Sequence, residues 1–272
     1  MTNQKMFAPT QSFEEYQERF KDFFAITRKD GVVEVRMHEN GGPTPWKREH
    51  NYGWGPVIKA IGDDPENEVL ILGGTGDVWA KDMLSDGYAE KVFQMQREQP
   101  GLYNQLCFDT FQRVSKMIYS LLYDVDIPTI GVVNGPGPAH MELAFLCDIN
   151  LCAPNVEFKA VHFPLGMVPG DGFFMIMQYL LGTTRANYLA YTGKAFSAQE
   201  AQEWGMVNEI VTSEEIYARA WELAEEIMKQ PRPVRRLTHD IMRKPLRDYV
   251  NATYNYQAMV EAFGGSAVVG LT

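Results

Sequence analysis

Between residues 128 and 152 two short apolar strands stand on either side of a break, and this constrains the fold more than any other stretch. Residues 128–133 are uncharged and β-branched, a buried-type strand. The Asn-Gly-Pro-Gly-Pro run at 134–138 ends it. Residues 140–147 leave room for a short helix only, and 149–152 form the second strand. A turn-rich stretch at 158–172 leads into apolar helical material at 173–181. Upstream, the pattern predicts a helix over 10–23, a strand at 31–37, a loop at 39–45, a helix at 54–62, a strand at 68–72 and a long amphipathic helix over 104–123. Downstream it predicts helices at 183–192, 197–204, 213–230, 234–243 and 246–262, with one strand near 208–211. Ser213 before Glu214 and Glu215 reads as a helix start. Strands alternating with helices, then a helical tail, give an α/β fold with an α-helical C-terminal region.

At 272 residues the chain makes one large domain or one domain with an appendage, divided here into a core over 1–205 and a helical region over 206–272. A hydrophobic content of 45% against 22% charged residues supplies a buried core. Lys and Arg total 25 and Asp and Glu 35, a net charge of −10, which argues against a phosphate-backbone or anionic-membrane partner. No apolar run reaches the roughly 18 residues of a membrane span, and the N-terminus has no targeting character. Three cysteines, Cys107, Cys147 and Cys152, cannot form a paired framework, so a reducing cytoplasm is expected.

Most familiar chemistries are missing from the sequence. Gly73-Gly-Thr-Gly76 lacks the G-x-G-x-x-G order, and no P-loop, H-E-x-x-H, C-x-x-C, EF-hand or G-x-S-x-G string occurs. No metal and no cofactor are expected. Acid–base chemistry by imidazole and carboxylate remains.

Of five histidines, His38, His50 and His239 read as solvated surface groups. His162 and Asp171 stand nine residues apart with Pro164, Gly166, Pro169 and Gly170 between them. A loop so punctuated can bring its ends together, and a carboxylate on one imidazole nitrogen leaves the other to take a proton from water. Asp171 also reads as the cap of the helix at 173, and His162 as a hydrogen-bonded core residue. His140 opens a helix after the Gly/Pro turn, either as a plain helix-start residue or as an oxyanion donor. Trp46 follows Pro45 in a loop and offers one N–H, or simply packs. Glu142 lies in an apolar helical turn and needs a partner.

The stretch 128–172 resembles the crotonase (enoyl-CoA hydratase/isomerase) superfamily, whose pattern is N-G-x-x-x-G-G-G-x-E-L-A-x-x-C-D, a strand, and F-x-x-P-E-x-x-L-G-x-x-P-G-x-G-G. Asn134-Gly135, Glu142-Leu143-Ala144, Cys147-Asp148, Phe158, Leu165-Gly166 and Pro169-Gly170 match it. Tyr191-Thr192-Gly193, Ala198, Ala201 and Gly205-Met206-Val207-Asn208 match a later family motif. The resemblance implies a crotonase-like ββα spiral core and an α-helical C-terminal oligomerisation region, in a homotrimer or a dimer of trimers.

The departures implicate a different substrate. His140 replaces a family glycine, His162 replaces the second hydratase glutamate, Asp171 replaces a small residue, and the loop Trp79-Ala80-Lys81-Asp82 is shortened. These changes resemble the C–C bond hydrolases similar to 6-oxocamphor hydrolase, which share H-F-P-x-G-x-V-P-G-D-G, here 162–172. A histidine matching His140, a tryptophan matching Trp46 and a C-terminal glutamate matching Glu261 complete that likeness. It implies retro-Claisen hydrolysis of a small-molecule 1,3-diketone, with His162, Asp171 and His140 catalytic and Trp46 and Glu261 binding substrate. Two alternatives stand beside it: a crotonase acting on an acyl-CoA, and a non-catalytic crotonase-fold interaction protein.

Overall fold

The apolar segments at 69–73 and 129–133 are buried along their whole length, which puts them in the middle of a six-stranded sheet. The structure, a computed structural model, describes residues 11–81, 88–137 and 139–264; Asp82 and Pro138, each part of a motif noted above, lie outside these.

In chain order, α1 (Phe13–Phe20) leads to β1 (Phe24–Lys29) and β2 (Val32–Met37). Helix α2 (Arg48–Asp63) joins β2 to β3 (Val69–Gly73). Helices α3 (Tyr88–Glu98) and α4 (Pro100–Tyr119), the latter prolonged by a π-helical turn (Ser120–Asp124), lead to β4 (Thr129–Val133). Then come α5 (Glu142–Phe145), β5 (Ile149–Cys152), β6 (Glu157–Phe158), a 3-10 turn (Phe163–Leu165) and α6 (Phe173–Leu181). The chain continues through α7 (Thr183–Thr192), β7 (Phe196–Ser197), α8 (Ala198–Glu203), β8 (Glu209–Ile210), α9 (Ile216–Met228) and α10 (Arg232–Gly264).

The sheet order is β1-β2-β3-β4-β5-β8, with β1 antiparallel to β2 and every later pair parallel. Parallel neighbours need a crossover connection, so the chain winds strand by strand across the sheet, the crotonase-like spiral. β6 and β7 pair separately. Side chains alternate between faces. Val33, Val35, Leu70 and Leu72 enter the larger core; Val32, Val69, Ile71 and Val132 meet Ile216, Tyr217 and Ala220 of α9.

Several expectations change. β1 takes 24–29, so the first helix ends at Phe20. Helix α2 starts at Arg48, ahead of Gly53, Gly55 and Pro56, because Trp54, Val57, Ile58 and Ile61 bury one face. Helix α3 was not anticipated. Helix α9 begins at Ile216, since residues 213–215 form a turn in which Glu215 N–H bonds Thr212 O. The two helices expected at 234–243 and 246–262 are one helix, α10, passing through Pro245. Arg235, His239 and Arg243 before that proline, and Leu246, Val250 and Tyr254 after it, line one buried face. The carbonyl that loses its donor belongs to Ile241, on a turn whose side chain is 74% exposed and open to water. His38, His50 and His239 are buried, not solvated. Each found a partner: Lys21 O for His38, Lys47 N–H for His50 and Asp148 for His239. No described helix is long and apolar enough to cross a membrane.

Helix α10 is clamped to the sheet by Asp148. Its Oδ2 accepts from Thr129 N–H at 2.8 Å and lies 2.8 Å from His239 Nδ1, while Oδ1 faces Arg243 Nε at 3.5 Å. Burial works against this charge, and Arg243 and His239 more than offset it, holding the carboxyl below its ordinary range. Nearer the helix start, Arg235 and Arg232 close on Glu68 at 2.5 and 2.9 Å. Asp148→Ala leaves Arg243 buried without its counter-charge and should cost about 3–5 kcal/mol. Urea denaturation checks this; a loss below about 1 kcal/mol would mean that α10 is anchored elsewhere.

Candidate active site

The segment 162–172 bends as its prolines and glycines require. His162 precedes the 3-10 turn, Met167 N–H returns to His162 O at 2.8 Å, and the chain runs back to Asp171. Asp171 Oδ1 accepts the N–H of Phe173, the first residue of α6, at 3.2 Å, while Oδ2 stands 3.5 Å from His162 Nε2. The reading of Asp171 as the helix cap changes, because Gly172 takes that position and Asp171 stands one residue ahead of it; its other oxygen faces the imidazole. At Gly170 a Cβ would lie 2.1 Å from Gln257 O, so only glycine lets this loop rest against α10. There its N–H donates to Glu261 Oε2 at 2.8 Å, and Glu261 Oε1 stands 3.4 Å from His162 Nε2. Tyr254 of α10 adds its hydroxyl to Asp171 O at 3.4 Å.

Two carboxylates thus turn one oxygen each to a single imidazole nitrogen, and each is held from behind by a backbone N–H. Burial disfavours the imidazolium, but Asp171 and then Glu261 more than compensate, raising His162 to about 9. Desolvation works against the charge of the partly buried Asp171, yet the two imidazoles and the Phe173 N–H keep it below its ordinary value. Burial lifts Glu261, against the pull of His162, so Glu261 is the carboxyl of this group that more readily holds a proton.

A second imidazole–carboxylate pair lies beside the first. His140 adopts a left-handed backbone (φ 55°) between the glycine/proline turn and α5, uncommon for a residue with a Cβ. Its Nδ1 lies 2.6 Å from Oε1 of Glu142, the first residue of α5, which is completely buried. The Trp46 ring covers the imidazole at 4.6 Å between centroids and 33° between planes. Trp46 gives its N–H to Asn51 Oδ1, so what it turns to His140 is its face. His50, on α2, lies behind Trp46 and is kept neutral by burial, which lowers it to about 4.

Donor atoms of His140, Glu142 and Asp171 lie within 4.8 Å of one another, as do those of His162, Asp171 and Glu261. Among the described residues these are the groups able to hold a cation, and Asp171 belongs to both. The five residues singled out from the sequence, Trp46, His140, His162, Asp171 and Glu261, are therefore neighbours. Sequence reasoning left Glu142 without a role and missed Asn51 and Tyr254. Only Glu142 carried a signal, a carboxylate in an apolar turn two residues from a histidine.

The sequence profile of the enoyl-CoA hydratase/isomerase family matches residues 55–265. The chain belongs to this family. It is 27% identical to a crotonyl-CoA hydratase of Syntrophomonas wolfei over 209 residues, 76% of this chain and 75% of that one. It is 28% identical to a carnitinyl-CoA dehydratase of Salmonella heidelberg over 209 residues, 75% of this chain and 73% of the other. Among solved structures, a beta-diketone hydrolase from the cyanobacterium Anabaena sp. PCC 7120, bound to (S)-3-oxocyclohexyl acetic acid, superposes with a TM-score of 0.82 at 28% identity, covering 93% of this chain and 97% of that one. An enoyl-CoA hydratase/isomerase from Mycobacterium paratuberculosis gives 0.78 at 20% identity over 91% and 95%, a likeness of fold. The family fold is thus shared with proteins named for two chemistries, and the side chains at 140, 162 and 171 bear on which one applies.

A histidine raised above its unfolded value stabilises the folded chain when charged. That contribution is complete below about pH 6.5 and is lost as the pH climbs through about 9. In an NMR titration the His162 ring should show a midpoint near 9, and Asp171→Asn should bring it down toward 6.5. A wild-type midpoint at or below 6.5 would contradict the double-carboxylate geometry.

Proposed function

We propose that this protein hydrolyses a carbon–carbon bond of a 1,3-diketone by a retro-Claisen reaction. The observation that carries the reading is the His162 imidazole facing Asp171 and Glu261, with Asp171 also belonging to the group of His140 and Glu142. A hydratase carries a glutamate where His162 stands. The likeness to a beta-diketone hydrolase at 28% identity over nearly the whole chain supports the same reading.

In the mechanism, neutral His162 takes a proton from water while hydroxide adds to one carbonyl carbon. Asp171 orients the ring and stabilises the imidazolium that forms. Negative charge collects on the former carbonyl oxygen, where His140 donates. The tetrahedral intermediate breaks its bond to the central carbon, and the electron pair passes into the second carbonyl as an enolate. A proton returns to that carbon from His162. The products are a carboxylic acid and a ketone, joined in one molecule when the diketone is cyclic. The second carbonyl serves as the electron sink. Trp46 walls the His140 side, and Glu261 orients substrate from α10.

The same reading makes the C-terminal region the oligomerising element of a homotrimer or a dimer of trimers. Leu237, Ile241 and Met242 leave an apolar stripe along the outer side of α10 for such a contact. One observation favours a second reading, an acyl-CoA hydratase or hydrolase: the curated relatives at 27–28% identity are named for CoA substrates. Micromolar binding of CoA esters, without turnover of diketones, would select it.

The deciding experiment is a panel of cyclic and linear 1,3-diketones assayed for release of acid. On a cleaved member, His162→Ala should lower kcat by about 10²–10⁴-fold with folding intact. Because the base must be neutral, kcat should rise with pH toward about 9. Near-native kcat in His162→Ala would rule out the scheme.

A further inference from the structure

A carboxylate only accepts hydrogen bonds, so the 2.6 Å contact between Glu142 Oε1 and His140 Nδ1 fixes what the other ring nitrogen can be. If the pair shares a single proton, that proton sits on Nδ1 and Nε2 is a lone pair, a base rather than a donor. If the pair holds two protons, Nε2 carries a hydrogen, whether the extra proton is drawn on the ring or on the carboxyl. The one-proton pair is a net anion and the two-proton pair is neutral.

The surroundings choose between them. Glu142 is completely buried, and its second oxygen has no partner among the described residues. A buried carboxylate with an unbonded oxygen is expensive as an isolated anion and cheaper beside an imidazolium. Ionised Asp171, at the start of α6, also faces the ring, and the carboxyl of Glu261 on α10 adds to its pull when charged. The indole of Trp46 covers one face of the ring. All of this favours keeping the second proton, and both members of the pair are raised from their ordinary values, His140 against the penalty of its own burial. The left-handed backbone of His140 and the position of Glu142 at the head of α5 bring the two side chains together two residues apart.

We propose that Glu142 is a positioning residue that acts through His140, loading it with a second proton so that Nε2–H becomes the donor to the oxyanion. His162 and His140 then take opposite duties within one cluster. His162 must shed a proton to act, and His140 must keep one. Glu142 separates the two, because it serves His140 alone at hydrogen-bonding distance. The inference rests on the diketone-hydrolase reading for what the donor acts upon, but not for the protonation itself.

Two measurements test it. Nitrogen-15 NMR of the wild-type protein at pH 7 should show Nε2 of His140 protonated; an unprotonated Nε2 there overturns the proposal whatever the substrate is. In Glu142→Gln, which keeps the shape and removes the charge, the His140 titration should move down toward 6.5. On a cleaved diketone this variant should lose about 10²–10³-fold in kcat, the worth of one oxyanion donor, with KM changed less than about threefold. The alkaline limb of its pH–rate profile should move to lower pH. Loss of activity with an unmoved His140 titration would make Glu142 merely structural. Should no diketone be cleaved by the wild type, the hydrolase reading falls while the NMR result still decides the proton.

Discussion

The placement of the long C-terminal helix depends above all on one largely buried carboxylate. Asp148 sits at the turn between α5 and β5 and gathers the Thr129 backbone, the His239 ring and the Arg243 guanidinium. Those partners come from a sheet strand and from two successive turns of α10. With that end of the helix fixed, its far end runs over the 162–172 loop and delivers Tyr254, Gln257 and Glu261 to it. Through this helix His162 faces two carboxylates and not one. The site is assembled from a loop that folds locally and a helix that arrives from the far end of the chain.

The same sheet supports the other half of the site. Asn134, just past β4, accepts from Gly74 N–H and donates to the Gly76 and Val78 carbonyls, tying the turn after β3 to the turn after β4. Trp79 then gives its N–H to Ala139 O at 2.7 Å, one residue before His140. The turn carrying His140 is thus braced on one side by the Asn134 and Trp79 contacts and on the other by Trp46. Three carboxyls and two imidazoles share a poorly solvated volume, and no arrangement of full charges there is free of repulsion. Protons are retained where a partner faces them, and Asp171, between both rings, stays ionised.

The local signals in the sequence were strong where geometry is local. Pro164, Gly166, Pro169 and Gly170 foretold that residues 162 and 171 come together, and the 3.5 Å contact follows from that punctuation. The strands at 129–133 and 149–152 showed in their short uncharged runs, Thr-Ile-Gly-Val-Val and Ile-Asn-Leu-Cys. Pro245 misled, because a proline ends an isolated helix but only perturbs one whose buried face runs on past it. His38, His50 and His239 misled for a related reason. Polar neighbours in sequence suggested water, whereas the partners that make their burial tolerable come from residues 21, 47 and 148. Strand β1 alternates buried and exposed residues, but its sequence, Phe-Ala-Ile-Thr-Arg-Lys, runs from apolar to charged, so at this edge pairing with β2 defines it more than composition does.

The sequence by itself determined the alternation of strands and helices and the meeting of His162 with Asp171, each set by residues within about a dozen positions of one another, and the family resemblance implied the spiral arrangement of the strands. Only the tertiary structure decided that Glu261 shares the same ring nitrogen as Asp171 and that Trp46 turns its face, not its N–H, to His140. Those facts depend on where a helix or loop distant in sequence comes to rest. Burial then fixes which group holds each proton, and burial is a property of the packed chain that no short stretch of residues contains.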